Sequence, residues 1–332
     1  MSIGEFDLIA RWFTRAPRDA ARVPLAGGDD CALLAPTPGM QLAVSTDTMV
    51  EGRHFLATVP PERLGHKALA INLSDLAACG AAPLAFTLAL TLPRIDEAWL
   101  DGFARGLWAL ADAQAIDLVG GDTTSGPLAI TITVFGEVPP GQALLRSGAR
   151  AGDELWVSHP FDGGPGDARL ALEVFRGNVV LLAGEAFEAA RLRMECPTPR
   201  VALGLALRGV ASSAIDVSDG LIGDLGHILE RSGVGATVDA DALPASPALA
   251  AQPPALRREC GLAGGDDYEL LFTAPPSRRE AVRAAAARAG VAVARIGTID
   301  ATPGVLRVVD AQGRPLDQRF AGFDHFRDPR GG

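Results

Sequence analysis

From Val138 to Glu154 the sequence reads VPPGQALLRSGARAGDE, and the ordered pattern on either side dissolves into proline, glycine and polar residues. Before this break, segments of strand and helix character alternate. Strands are predicted at 31–35, 41–46, 84–92, 116–119 and 128–138, and helices at 4–15, 62–79 and 97–114. Leu128, Ile130, Ile132 and Val134 alternate with a period of two, and Asp96, just after Pro93, predicts the cap of the third helix. After the break the alternation restarts with the strand ELWVS. Helices follow at 167–176, 184–195 and 199–208, then a strand at 212–217, a helix at 220–232 and strands at 235–239 and 268–273. A helix at 277–289 and strands at 292–297 and 305–309 complete the run. Two such runs call for two layered units of α/β or α+β class, each with helices packed on a sheet. The expected domains are 1–140 and 150–332, with the boundary at 139–152. A chain of 332 residues, 48% of them hydrophobic, has enough apolar mass for two cores.

The formal charge is −10, and Lys67 is the sole lysine. No basic block resembles a nucleic-acid stripe, so nucleic acid is not an expected partner. Cys31, Cys79, Cys196 and Cys260 are widely separated and form no C-x-x-C pair, which argues against a zinc site and a disulfide framework. The opening MSIGEFDLIARWF carries acids where a signal peptide needs a basic start; Phe6, Ile9 and Phe13 read as one face of an amphipathic helix. The apolar stretch Leu76–Pro93 is broken by Gly80 and Pro83, so it reads as a buried helix end and a buried strand. A cytoplasmic protein with no membrane partner is expected.

Glycine next to acid recurs at three distant points: GGDDCALL at 27–34, GGDTT at 120–124 and GGDDYELL at 264–271. Bare backbone lets N–H groups approach a ligand, and the adjoining carboxylate can meet a cation bound to that ligand. Ser45, Thr46 and Asp47 end an apolar strand with two hydroxyls and a carboxylate. Oxygen donors of this kind suit Mg²⁺, though a strand end with a turn explains them as well. Asp75 is the lone charge between Lys67 and Arg94; in so apolar a helix it needs a metal, an arginine, a raised pKa or a wet edge. Asp216, Ser218 and Asp219 precede a helix whose apolar face is Leu221, Leu225, Ile228 and Leu229, with Gly233 as its terminator. Ser218 or Asp219 can cap that helix, yet three polar oxygens in four positions exceed what a cap needs and suit a phosphate–metal pair. No Walker, protein-kinase, serine-hydrolase or zincin motif occurs. Dispersed aspartates without lysine point to several Mg²⁺ ions bridging carboxylates to a polyphosphate.

The ordered set GEFDLIAR, GGDDCALL, STDTMVEGRHF, KALAINLSDLAACGA, GGDTT, RSGARAGD, AIDVSDGLIGDLGHI, GGDDYELLF and GFDHF resembles the thiamine-monophosphate kinase family over nearly the whole chain. The resemblance implies the two-domain fold of the aminoimidazole-ribonucleotide-synthetase-like superfamily, with amino-terminal domains paired around a sheet barrel in a homodimer. It implies phosphorylation of thiamine monophosphate by ATP to thiamine diphosphate. Carried over by position, Asp30, Ser45, Thr46, Asp47, Asp75, Asp122, Asp216 and Asp219 match magnesium ligands. Gly121, Asp122, Arg146 and Ser218 match nucleotide contacts, and His54 a substrate contact. Asp266 stands where the family carries glutamate facing the thiamine moiety, and Phe323 where tryptophan or tyrosine is common. Segment 158–170 looks divergent and receives no role.

The acceptor implied is a phosphate monoester, already anionic at neutral pH, so a separate general base is not expected. Positioning and charge neutralisation would carry an in-line transfer, with Arg146 available to phosphate. The alternatives are another superfamily synthetase, of the selenophosphate, aminoimidazole ribonucleotide or hydrogenase-maturation type, or a non-catalytic nucleotide-binding protein. The first wants a reactive cysteine near its amino terminus and the hydrogenase-maturation type a terminal one, where this chain reads DPRGG.

Overall fold

The structure, a computed structural model, describes residues 4–179, 184–316 and 320. The chain divides into two compact units, the first made of the chain through Leu76 and of Ala81–Ala143, the second of Ala77–Gly80 and the chain from Leu144.

The first unit begins with α1 (Glu5–Leu8), which passes into a π-helical turn at Ile9–Phe13. The expected single helix over 4–15 is thus shorter and changes its winding. Next come β1 (Gln41–Val50), α2 (Pro61–Cys79), β2 (Ala82–Leu92), α3 (Glu97–Ala113), β3 (Asp117–Ser125) and β4 (Ala129–Val138). The sheet order is β1-β4-β2-β3; β4 runs antiparallel to both neighbours and β3 parallel to β2. A parallel pair needs a crossover, and α3 supplies it. Asp96 caps α3 as expected, accepting from the Trp99 N–H at 3.1 Å. Alternation along β4 buries Ile130, Ile132 and Val134, and Phe86, Leu88 and Leu90 of β2 are buried too. Helices α2 and α3 meet at backbone distance: a Cβ on Gly106 would lie 1.8 Å from the Glu62 carbonyl oxygen.

Two expectations about this unit change. Residues 31–35 form no strand; Leu33 makes one bridge to Leu25, closing the GGDD loop. The strand predicted to stop at Val119 runs through GGDTT, because pairing with β2 carries it to Ser125 after a shift of register at Phe86/Thr87.

The second unit contains β5 (Glu154–His159), α4 (Asp167–Phe175), α5 (Gly184–Glu195), α6 (Val201–Leu207), β6 (Ser213–Asp216), α7 (Leu221–Ser232) and β7 (Gly235–Asp239). It continues with α8 (Pro247–Ala250), α9 (Pro254–Ala263), β8 (Leu270–Ala274), α10 (Arg279–Ala289), β9 (Ala292–Asp300) and β10 (Leu306–Val309). The mixed sheet has the order β10-β7-β9-β5-β8-β6. The predicted face of α7, Leu221, Leu225, Ile228 and Leu229, packs with Leu155, Val157, Ile215, Leu271 and Ile296. Gly233 ends α7 in the left-handed conformation. Helices α8 and α9 were not expected; Pro253–Pro254 reads as a loop, yet Pro254 occupies a first-turn position, where its missing N–H costs nothing. Among the described residues no helix is long and apolar enough to cross a membrane.

Candidate active site

In the first unit β1 and α2 meet through polar groups. Strand alternation turns Ser45 and Asp47 to one face, where the Ser45 hydroxyl donates to Asp75 Oδ2 at 2.5 Å and the Asp47 N–H donates to Asn72 Oδ1 at 3.0 Å. Asn72 and Asp75 lie three residues apart, hence on one side of α2. Asp75 is half-buried, and the Ser45 hydroxyl is one of its partners. Thr46 points the other way, its hydroxyl bonded to that of Thr133 at 2.8 Å. Its side chain therefore does not join Ser45 and Asp47, a consequence of the two-residue period of a strand that continues through STDT. His54 lies in the turn after β1, where its Nδ1 accepts from the Val50 N–H at 3.0 Å. The neutral ring then carries its proton on Nε2.

The first GGDD loop and GGDTT lie side by side. Gly27 approaches the Val119 carbonyl, to which an added Cβ would be 3.8 Å, and Val119 packs with Val23, Ala26 and Ala32. Gly28 has φ +115°, and the Asp30 N–H donates to Asp29 Oδ1 at 2.8 Å. Gly121 has φ +151°, and a Cβ there would come within 1.8 Å of the Leu88 carbonyl oxygen. Only glycine fits that point. Asp30, Gly121 and Asp122 line one cavity of about 620 Å³ with residues of α1 and the π turn.

In the second unit the turn after β6 meets the second GGDD. The Asp266 N–H donates to the Ser218 carbonyl at 2.9 Å, and the Tyr268 N–H to that of Val217 at 2.8 Å. Asp266 (φ +69°) and Tyr268 (φ +51°) both occupy the left-handed region, uncommon for residues with a side chain. The Tyr268 hydroxyl donates to Asp266 Oδ1 at 3.2 Å. Asp216 is buried, with Ser218 and Asp219 half-buried beyond it. Neither Ser218 nor Asp219 caps α7. Asp224, one turn into the helix, reaches back and accepts from the N–H groups of Ser218, Asp219 and Gly220 at 3.1, 3.2 and 3.2 Å. Burial, followed by the charge of Asp219, pushes the Asp224 carboxyl up to about 7. The N–H groups at the start of α7 are therefore already engaged by the Asp224 carboxyl group.

Asp267 and Glu269 face a different set of partners. Both oxygens of Asp267 accept from the Gly166 N–H, at 2.9 and 2.8 Å, and desolvation holds its carboxyl well above the usual range. Glu269 is buried in a two-point pair with Arg200, at 2.7 and 2.5 Å, and also accepts from the Ser158 hydroxyl. Segment 158–170 is thus the clamp on the second acidic motif. Asn72, Asp224 and Arg200 were not singled out from the sequence. For Asn72 and Asp224 the signal was spacing, three before Asp75 and five after Asp219, on helix faces turned to the site. Arg146 is exposed, and its carbonyl accepts from the Ser232 hydroxyl at 3.2 Å. Phe323 lies outside the described residues.

Among the described residues no three His, Cys, Asp or Glu side chains stand close enough to hold a metal by themselves. The donors present are carboxylates and the Ser45 hydroxyl, without thiol or clustered imidazole. Such a set fits a hard cation that retains water and phosphate oxygens, the habit of Mg²⁺.

Comparison with known proteins decides the family. Residues 28–138 match the AIR synthase related protein N-terminal domain and residues 150–310 its C-terminal domain. The thiamine-monophosphate kinase of Salmonella typhimurium is 47% identical over 334 residues, covering 99% of this chain and all of that protein. The chain belongs to the thiamine-monophosphate kinase family. A crystal structure of thiamine-monophosphate kinase from Stenotrophomonas maltophilia is 46% identical, with a TM-score of 0.82 over 90% of this chain and 93% of that one. AaThiL complexed with AMPPCP and TMP is 29% identical, with a TM-score of 0.74 over 88% of this chain and 89% of that one. Membership in the family makes the chain a phosphotransferase with a two-domain synthetase-like fold, as the motifs led one to expect.

Proposed function

We propose that this chain transfers the γ-phosphoryl group of ATP to the phosphate of thiamine monophosphate, yielding thiamine diphosphate and ADP. The observation that carries the reading is the full-length likeness to a thiamine-monophosphate kinase, 47% identical with no part of either protein left over beyond 1% of this chain. The complex of AaThiL with AMPPCP and TMP supports the same pair of reactants.

A phosphate oxygen of the acceptor attacks the γ-phosphorus as the bond to the β-bridging oxygen breaks. That oxygen is already anionic near neutral pH, so no side chain has to remove a proton. The work left to the protein is to align two anions and hold them together. When bound, Mg²⁺ offsets the charge on both reactants. The side chains we assign to several such ions are Asp30, Ser45, Asp47, Asp75, Asp122, Asp216 and Asp219. Thr46, its hydroxyl on the far face of β1, drops out of that set. Gly121 offers close backbone approach to the nucleotide beside Asp122, and Ser218 and the exposed Arg146 are further nucleotide contacts. On the acceptor side, His54 presents Nε2–H, and Asp266 presents a carboxylate steadied by Tyr268.

The amino-terminal unit, in this reading, binds ATP and Mg²⁺ and forms a homodimer through β1, and the carboxy-terminal unit completes the site. The compartment we assign is the cytoplasm, where ATP is held. Incubation with γ-labelled ATP, Mg²⁺ and thiamine monophosphate should give labelled thiamine diphosphate and one ADP per turnover, with no label on the protein. ADP without thiamine diphosphate would sink the acceptor assignment, and label trapped on the protein would sink direct transfer.

A further inference from the structure

Along DDYE, residues 266–269, the side chains work in two pairs. Asp266 and Tyr268 hold left-handed backbone angles and share a hydrogen bond. Residues with side chains keep such angles only where their surroundings over-determine them. Asp267 and Glu269 instead line a small cavity with Gly164, Arg193 and Arg200, and neither Asp266 nor Tyr268 belongs to its wall. The fastenings converge on this second pair. Glu269, 5% exposed, takes two bonds from the Arg200 guanidinium and a third from the Ser158 hydroxyl. That hydroxyl also accepts from the Leu270 N–H at 2.8 Å, so β5 grips the start of β8. Asp267 is held by the Gly166 N–H. Gly166 is itself pressed on α9: at φ +96°, an added Cβ would lie 2.6 Å from the Cys260 carbonyl carbon.

We propose that Arg200, Glu269 and Asp267 are positioning residues for the acceptor: by fixing residues 267 and 269 they hold Asp266 and Tyr268 in the left-handed conformation that presents the Asp266 carboxylate. The inference rests on the acceptor role proposed above for Asp266. A two-point guanidinium–carboxylate pair sets orientation as well as distance, because its parallel N–H···O bonds define a plane. The loop of Asp216 and Asp219 has a separate hold in the three bonds to Asp224, so loosening Glu269 is felt first at Asp266. Segment 158–170 acquires its role through Ser158 and Gly166, the fixed ends of the clamp.

Arg200→Lys keeps the charge but cannot make the two-point pair. It should raise KM for thiamine monophosphate about fivefold, the scale of one weakened hydrogen bond, and leave kcat and KM for ATP unchanged. In an Asp266→Ala background the same substitution should add nothing, because the group it positions is gone. Tyr268 is the one tyrosine of the chain, so fluorotyrosine incorporated in its place gives a single fluorine resonance. That resonance should shift in Arg200→Lys while the melting temperature holds. Should Arg200→Lys not fold, Asp267 supplies the test. Desolvation holds its carboxyl well above the usual range, so asparagine is a close substitute. Asp267→Asn should keep the wild-type KM and resonance, and Asp267→Ala should change both. Equal effects on the two substrates, full additivity with Asp266→Ala, or an unmoved resonance would each overturn the positioning role. If the wild-type chain makes no thiamine diphosphate, the acceptor reading fails, and the resonance still decides whether the clamp sets the geometry of Tyr268.

Discussion

Single side chains divide here into those that meet solvent-borne charge and those that hold others in place. The Asp75 carboxylate accepts from the Ser45 hydroxyl, and the Asp47 backbone N–H is held by Asn72, so one carboxylate and the backbone that carries the other are placed before any ligand arrives. Replacing either carboxylate with an amide removes charge while keeping shape. Asp47→Asn and Asp75→Asn should each lower turnover by orders of magnitude at saturating Mg²⁺, with the melting temperature near that of the wild type. Steady-state kinetics across a Mg²⁺ series checks this, and wild-type turnover in either variant removes that residue from the metal set. Asp266 is constrained differently, since its φ of +69° suits aspartate better than most residues. Asp266→Ala removes the carboxylate and with it the hydrogen bond from the Tyr268 hydroxyl. It should raise KM for thiamine monophosphate selectively, by a factor of about 5–10 for a lost hydrogen bond of about 1 kcal/mol. Asp266→Glu should keep or lower that KM and leave KM for ATP unchanged. Equal effects on both substrates, or none, would make the second GGDD a structural turn.

At the scale of elements, the informative case is β3. Its pairing with β2 shifts register at Phe86/Thr87, and Gly121 then takes a positive φ against the Leu88 carbonyl. A methyl group at this point must displace the backbone of β2. Gly121→Ala should therefore destabilise the fold by at least about 1–2 kcal/mol from the left-handed conformation alone, with the clash adding to it. Nucleotide affinity should fall along with it. Denaturant unfolding and ATP titration of the same preparation check both arms. A variant of full stability and affinity would show that β2 yields freely, contrary to the close approach seen. The same element explains a misread boundary: glycines ordinarily end a strand, and here the parallel neighbour carries the strand through them.

For the whole molecule, the open question is assembly. Strand β1 is an edge of its sheet, and its outward face carries Leu42 and Val44, 46% and 58% exposed, beside the Thr46–Thr133 and Thr48–Thr131 pairs. An edge with exposed apolar side chains is a surface that asks for a partner. Light scattering should find a dimer, and Val44→Arg should give a folded monomer with reduced turnover. A wild-type monomer at full turnover would exclude the dimer as the active form.

The pattern of residues alone determined the class of fold and most elements: helix 184–195 and strand 235–239 coincide with their expected limits, and α7 buries its expected face. Periodicity is a local property, and these segments obey it. It failed where a distant partner decides. Strand β3 ends where β2 lets it end, and α9 begins at a proline that looks like a loop until the turn beyond it forms. Residues 31–35 have strand composition but no neighbouring strand, so they become the closing side of a loop. In the candidate site the acids themselves were legible, because glycine beside carboxylate is a local signal. Their second partners were not. Asn72 meets Asp47 only when α2 lies on β1, and Asp224 takes three amides only once α7 folds back over its own start. Arg200 pairs with Glu269 across 69 residues, a contact that chain order cannot announce. Composition and spacing choose which side chains are available; tertiary packing chooses which face each one shows and which charge it meets.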